Sequence, residues 1–151
     1  MRDHEIEAQH RYVIAVGIDF SSPSSSALAL AQSIAHRKSA SVVHVVHVAC
    51  LPDPSEDTVH MDMVRELERV RGVCAPVARE LGACVECHVL IGRAEDELVR
   101  FACDCGADVL ILGGREKSSL QRFLGGSITR RIARSADCSV LVARESDATY
   151  S

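Results

Sequence analysis

The sequence predicts an α/β fold: five parallel strands in a doubly wound sheet, with helices on both faces. Three observations carry this expectation. Short aliphatic runs alternate with helix-period segments along the whole chain. Most of those runs are apolar at nearly every position, as strands covered on both faces are. No internal repeat or low-complexity tract breaks the order, so strand, helix and strand follow one another as in a parallel sheet.

The elements follow in order. Residues 1–11 are polar and charged and read as a loose arm. Tyr12 to Ile18 is the first strand, ending at Asp19. The cluster Ser21-Ser-Pro-Ser-Ser-Ser26 then supplies helix-start residues, and Ala27, Leu28, Ala31, Ile34 and Ala35 recur at helical spacing. Val42 to Val48 is the second strand. Leu51 to Asp57, with two prolines, reads as a loop. Val59, Met63, Leu67, Val70, Cys74, Val77 and Leu81 then form one apolar helical stripe. Gly72 and Pro76 interrupt that stripe and predict a kink or a break.

Cys84 to Ile91 is a third strand. Its polar and apolar residues alternate more than in the others, which places it at a sheet edge. Gly92 turns the chain into a helix marked by Ala94, Leu98, Phe101, Ala102 and Cys105. Glu95, Asp96 and Glu97 lie in its first turn, where the helix dipole favours them, and Gly106 stops it. Val109 to Leu112 is the fourth strand, Ile128 to Ala136 a helix capped by Ser127, and Ser139 to Ala143 the fifth strand. Residues 12–144 then form one domain, and 145–151 a polar tail.

Composition excludes several functions. The 151 residues are 47% hydrophobic and 25% charged, an ordinary balance for one globular domain. A net charge of −4 and 3% aromatic content argue against nucleic-acid binding. No apolar run approaches a membrane span, and residues 1–11 lack a signal-peptide core, so the expected location is cytoplasmic. The seven cysteines then read as reduced, mostly buried thiols. Cys84 and Cys87 lie an odd number apart on a strand and face opposite ways. Cys103 and Cys105 lie about 200° apart around a helix. No metal site follows from these spacings. His44 and His47 likewise face opposite ways and read as satisfied histidines of core or edge.

The stretch from Val109 to Ser127 carries the candidate site. An aliphatic run ends in Gly113 and Gly114, a basic loop follows, and Gly125-Gly126 meet Ser127 at an expected helix start. Glycine allows close backbone approach, and a helix N-terminus offers free amides to an anion. In a doubly wound sheet, ligands bind beyond the carboxyl ends of the strands where the winding reverses. That rule singles out Asp19, after the first strand, and Gly113, after the fourth.

With these positions in hand, the chain from Tyr12 to Arg144 resembles the universal stress protein family. The resemblance rests on Val16-Gly-Ile-Asp-Phe-Ser21, on His47-Val48, on Gly92, on Gly113 with Gly126-Ser127, and on Ser139-Val-Leu-Val142. It implies a Rossmann-like, adenine-nucleotide α-hydrolase-like architecture. It also implies ATP, with Mg²⁺, as the ligand of a loop of the pattern G-x-x-G, nine residues, G-S/T. By that resemblance Asp19 lies near adenine and ribose, and the backbone of Val48 contacts the base. Gly113, Gly114, Arg115 and Glu116 form the loop, and the amides beside Gly126, at Ser127 and Ile128, meet phosphate.

The second glycine of the family pattern is Glu116 here. A carboxylate about 5 Å from one phosphate charge costs roughly 3 kcal/mol at an effective dielectric near 20, about a hundredfold in affinity. Arg115, Lys117, Arg122, Arg130 and Arg131 offset that charge. Three readings stay open: a stress-response module that binds ATP or a related adenine nucleotide, a homodimeric scaffold that has lost the nucleotide and binds a protein partner, and a weak ATPase or self-phosphorylating protein. No Ser-His-Asp arrangement or Gly-x-Ser-x-Gly elbow suggests other catalysis. The last strand, with Val140, Leu141 and Val142, is the expected homodimer edge, as the resemblance also implies.

Overall fold

The computed structural model describes residues 11–39, 41–50, 55–81, 84–114 and 121–144. The tail and nearly all of the arm expected from the sequence lie outside them. The elements are β1 (Val13–Ile18), α1 (Ser22–Arg37), β2 (Val42–Ala49), α2 (Glu56–Leu81), β3 (Cys84–Ile91), α3 (Ala94–Asp104), β4 (Val109–Gly114), α4 (Gln121–Ser135) and β5 (Ser139–Arg144). The strands form one parallel sheet in the order β3-β2-β1-β4-β5. The edge position expected for β3 is the one it takes. Winding reverses between β1 and β4, so a crevice opens beyond their carboxyl ends.

Side chains that alternate along each strand divide the core in two. On one face Ile14, Val16, Val43, Val45 and Ile111 pack with Ala27 and Ala31 of α1 and with Val70, Cys74 and Val77 of α2. On the other, Ala15, Val46, Leu110 and Leu112 pack with Leu98 and Ala102 of α3 and Ile132 of α4. Burial on both faces is what the unbroken aliphatic runs required. Among the described residues, no helix is long and apolar enough to cross a membrane.

Two helices differ from the sequence expectation. α2 continues through Pro76 as one helix of 26 residues. A proline in a helix interior costs about 3 kcal/mol, but Val70, Cys74 and Val77 on either side of it are buried against the sheet, and their packing keeps the helix unbroken there. α4 begins at Gln121, six residues before the expected cap, so Ser127 lies inside the helix. Once a helix is nucleated, each added residue gains a hydrogen bond without a new nucleation cost. Gln121 to Leu124 therefore extend it backward despite Gly125 and Gly126, each of which disfavours helix by about 1 kcal/mol relative to alanine.

Candidate functional site

The crevice is walled on one side by the β1–α1 turn. Ser21 caps α1, its hydroxyl accepting from the Ser24 amide at 3.4 Å, with Pro23 in the first turn. Asp19 Oδ1 accepts from the Ser21 amide at 3.0 Å and also from the Ser21 hydroxyl. The carboxylate at the end of β1 thus fixes the start of α1 as well as facing the crevice. Phe20 between them has φ of 62°, a left-handed conformation uncommon for a bulky residue. Its ring is held by His47, with centroids 4.7 Å apart, and by the Arg69 guanidinium 3.8 Å from its centroid.

The opposite wall is the end of β4. A Cβ built on Gly113 would lie 2.4 Å from the carbonyl carbon of Pro23 and 2.6 Å from the Ser24 amide nitrogen. Only glycine lets β4 pass this close to the first turn of α1, so Gly113 joins the two walls. A Cβ on Gly114 would meet Val142 Cγ1 at 2.5 Å, so this glycine packs against β5. α4 closes the crevice through Ile128, Thr129 and Ile132.

Of the site residues expected from sequence, Asp19, Val48, Gly113 and Ile128 come together around one cavity of about 170 Å³, joined by Gly17, Ala94 and Leu98. That is smaller than the roughly 300–1,000 Å³ usual for small-molecule sites. It suits a ring-sized group rather than a whole nucleotide. Gly126 and Ser127 lie within α4, past its first four amides, where backbone N–H groups are bonded inside the helix. Arg115 and Glu116 lie outside the described residues. Arg131 turns away to Glu95 of α3, at 3.4 Å.

The two histidines of β2 do face opposite ways. On the α1/α2 side, His47 Nδ1 meets the Ile18 carbonyl at 2.9 Å and Nε2 lies 3.4 Å from Glu66. On the α3/α4 side, His44 Nδ1 lies 3.0 Å from His88 Nε2 and 3.5 Å from Glu86 Oε2, and both rings pack on Phe101. Burial lowers the pKa of both His44 and His88. For His88 the neighbouring His44 lowers it further, while Glu86 opposes the shift at each. Sequence reasoning missed this cluster. The alternation Glu86-x-His88 hinted at a shared face, but the register that sets His44 opposite Glu86 is a tertiary fact. All seven cysteines are free, with Cys84 exposed and Cys87 packed against the α2 side of the core, as their odd spacing required. Burial, together with Cys87 beside it, raises the Cys74 pKa.

A model of the universal stress protein family matches residues 12–144. The chain belongs to that family. A universal stress protein of Methanocaldococcus jannaschii is 35% identical over 69 residues, which span 46% of this chain and 41% of that relative. The match to this curated relative therefore covers less than half of its length. The universal stress protein UspA from Lactobacillus plantarum superposes with a TM-score of 0.71 at 23% identity, covering 89% of this chain and 99% of that one. A universal stress protein solved in complex with cAMP superposes at 0.67 with 24% identity, covering 89% and 97%. At such identities the likeness is one of fold. This universal stress protein therefore has the five-stranded sheet fold of its relatives.

Proposed function

We propose that this universal stress protein binds an adenine nucleotide in the crevice between β1, β4 and α4, as a cytoplasmic, homodimeric stress-response module. The observation that carries the reading is the convergence of Asp19, Val48, Gly113 and Ile128 on one cavity at the switch point. The cAMP complex of a protein of the same fold supports the same ligand class. Asp19 accepts hydrogen bonds from ribose or base, and the Val48 backbone borders the base. ATP with Mg²⁺ is the fullest form of the ligand. Its phosphates need the Ser127 and Ile128 amides, so binding unwinds α4 from Gln121 to Gly126. The glycine pair makes that segment cheap to release.

Seven free thiols suit a reducing compartment. Leu141 and Val142 on edge strand β5 are 39% and 43% exposed, and pairing of β5 with a second copy covers both.

Isothermal titration with AMP, cAMP and ATP with Mg²⁺ tests the reading. Saturable binding of one nucleotide per chain, lost in Asp19→Asn, is the expected result; no heat from any of the three at high protein concentration overturns it. The second reading is a dimeric scaffold without nucleotide, taking a protein partner. The small cavity and Glu116 favour it, and Glu116→Gly then creates binding that the parent lacks.

A further inference from the structure

We propose that His44, Glu86 and His88 form a binding site for one divalent cation of the zinc class, on the sheet face beneath α3 and apart from the nucleotide crevice. β2 and β3 build it. In the parallel register His44 lies opposite Glu86, and Val46 opposite His88. Side chains two apart on a strand share a face, so all three project to the same side. His44 Nδ1, His88 Nε2 and Glu86 Oε2 are mutually 3.0, 3.5 and 3.8 Å apart. Three atoms at these separations lie on a circle of about 2.0 Å radius, which matches the Zn–N and Zn–O bond lengths. One cation can thus reach all three with little movement of the chain.

Donor chemistry narrows the ion. Two imidazoles and one carboxylate suit Zn²⁺ and its first-row neighbours, whereas Ca²⁺ and Mg²⁺ prefer oxygen throughout. Desolvation favours the neutral imidazoles, which is the form that ligates. Without a cation, the two ring nitrogens share one hydrogen bond. The surroundings fit a held ion: the His44 side chain is 12% exposed and the His88 side chain 28%, and Phe101 packs on both rings. Glu86, half exposed, opens the site to solvent and leaves a fourth position for water. The bound ion ties edge strand β3 to β2 by a link that two side-chain contacts alone do not provide.

The test uses Co²⁺ and Zn²⁺ alone on the full chain. Co²⁺ bound by nitrogen and oxygen gives weak visible bands without the intense near-ultraviolet thiolate band, which separates this site from the seven cysteines. The expected result is one equivalent showing only those visible bands, displaced by Zn²⁺, with a rise in the thermal midpoint on Zn²⁺ addition. His88→Ala weakens affinity by at least about a hundredfold, at or beyond the loss that an outer-sphere partner produces. Glu86→Gln, at a half-exposed position that the fold tolerates, weakens it by about tenfold or more and keeps the apo midpoint. Three results overturn the proposal: no equivalent bound at micromolar metal, a spectrum dominated by thiolate, or affinity unchanged in Glu86→Gln and His88→Ala.

Discussion

The two sides of the crevice are built in opposite ways. The β1–α1 turn is closed on itself: Asp19 binds Ser21, Ser21 caps α1, and Pro23 lies against β4 where Gly113 passes. On the other side α4, which lines the crevice with Ile128, Thr129 and Ile132, carries two adjacent glycines in its second turn. The first side is held by its own hydrogen bonds and close packing, and the helix on the second carries, ahead of its lining residues, a pair of glycines, which favour helix poorly. If the proposed nucleotide reading holds, the difference means a crevice whose base-recognition half is rigid and whose phosphate half is made by the ligand.

The largest effect breaks the junction of the walls. Gly113→Val forces a Cβ to within 2.4 Å of the Pro23 backbone, and backbone cannot swing aside as a side chain can. A loss of about 3 kcal/mol is expected, the upper part of the range for overpacking, read as a lower midpoint in urea. Next, Gly125→Ala with Gly126→Ala stabilises helical α4 by about 2 kcal/mol in total. Thermal stability should rise while nucleotide affinity falls about thirtyfold, a combination that a preformed phosphate site does not produce. Ser21→Ala removes the α1 cap and one partner of Asp19, costing about 1 kcal/mol and leaving α4 unaltered by amide exchange.

The smallest effect lies outside both walls and serves as their control. His44 and His88 titrate below their usual 6.5 in the folded chain. Above 6.5 they are neutral in both states, so their full contribution is present there. As pH falls below 6.5 the unfolded imidazoles take up protons first, and stability is lost through the window between 6.5 and the lower folded values. Urea midpoints at pH 7.5 and 5.5 should differ less in a His44→Gln, His88→Gln variant than in the parent.

Much of this was legible in the chain itself. Alternation of aliphatic runs with helical stripes fixed the sheet and its two covered faces. The parity of His44 and His47, and of Cys84 and Cys87, set the members of each pair on opposite faces, as they are found. Asp19 and Gly113 fell at the reversal of winding because strand order alone defines that point. What escaped was nonlocal. Gly113 reads in sequence as room for a ligand, yet its nearest demand is the Pro23 backbone, ninety residues earlier in the chain. The start of α4 was misplaced because a glycine pair before a serine is a strong local cap signal, while helix propagation from Ile128 backward is cooperative. The meeting of His44 with Glu86 and His88 required the register of two strands forty residues apart.

Backbone chemical shifts of residues 121–128, recorded with and without saturating ATP and Mg²⁺, test the central claim most directly. The account predicts that residues 121–126 leave helical values and that the Ser127 and Ile128 amides shift strongly as they meet phosphate. Bound nucleotide with 121–135 still fully helical would contradict it.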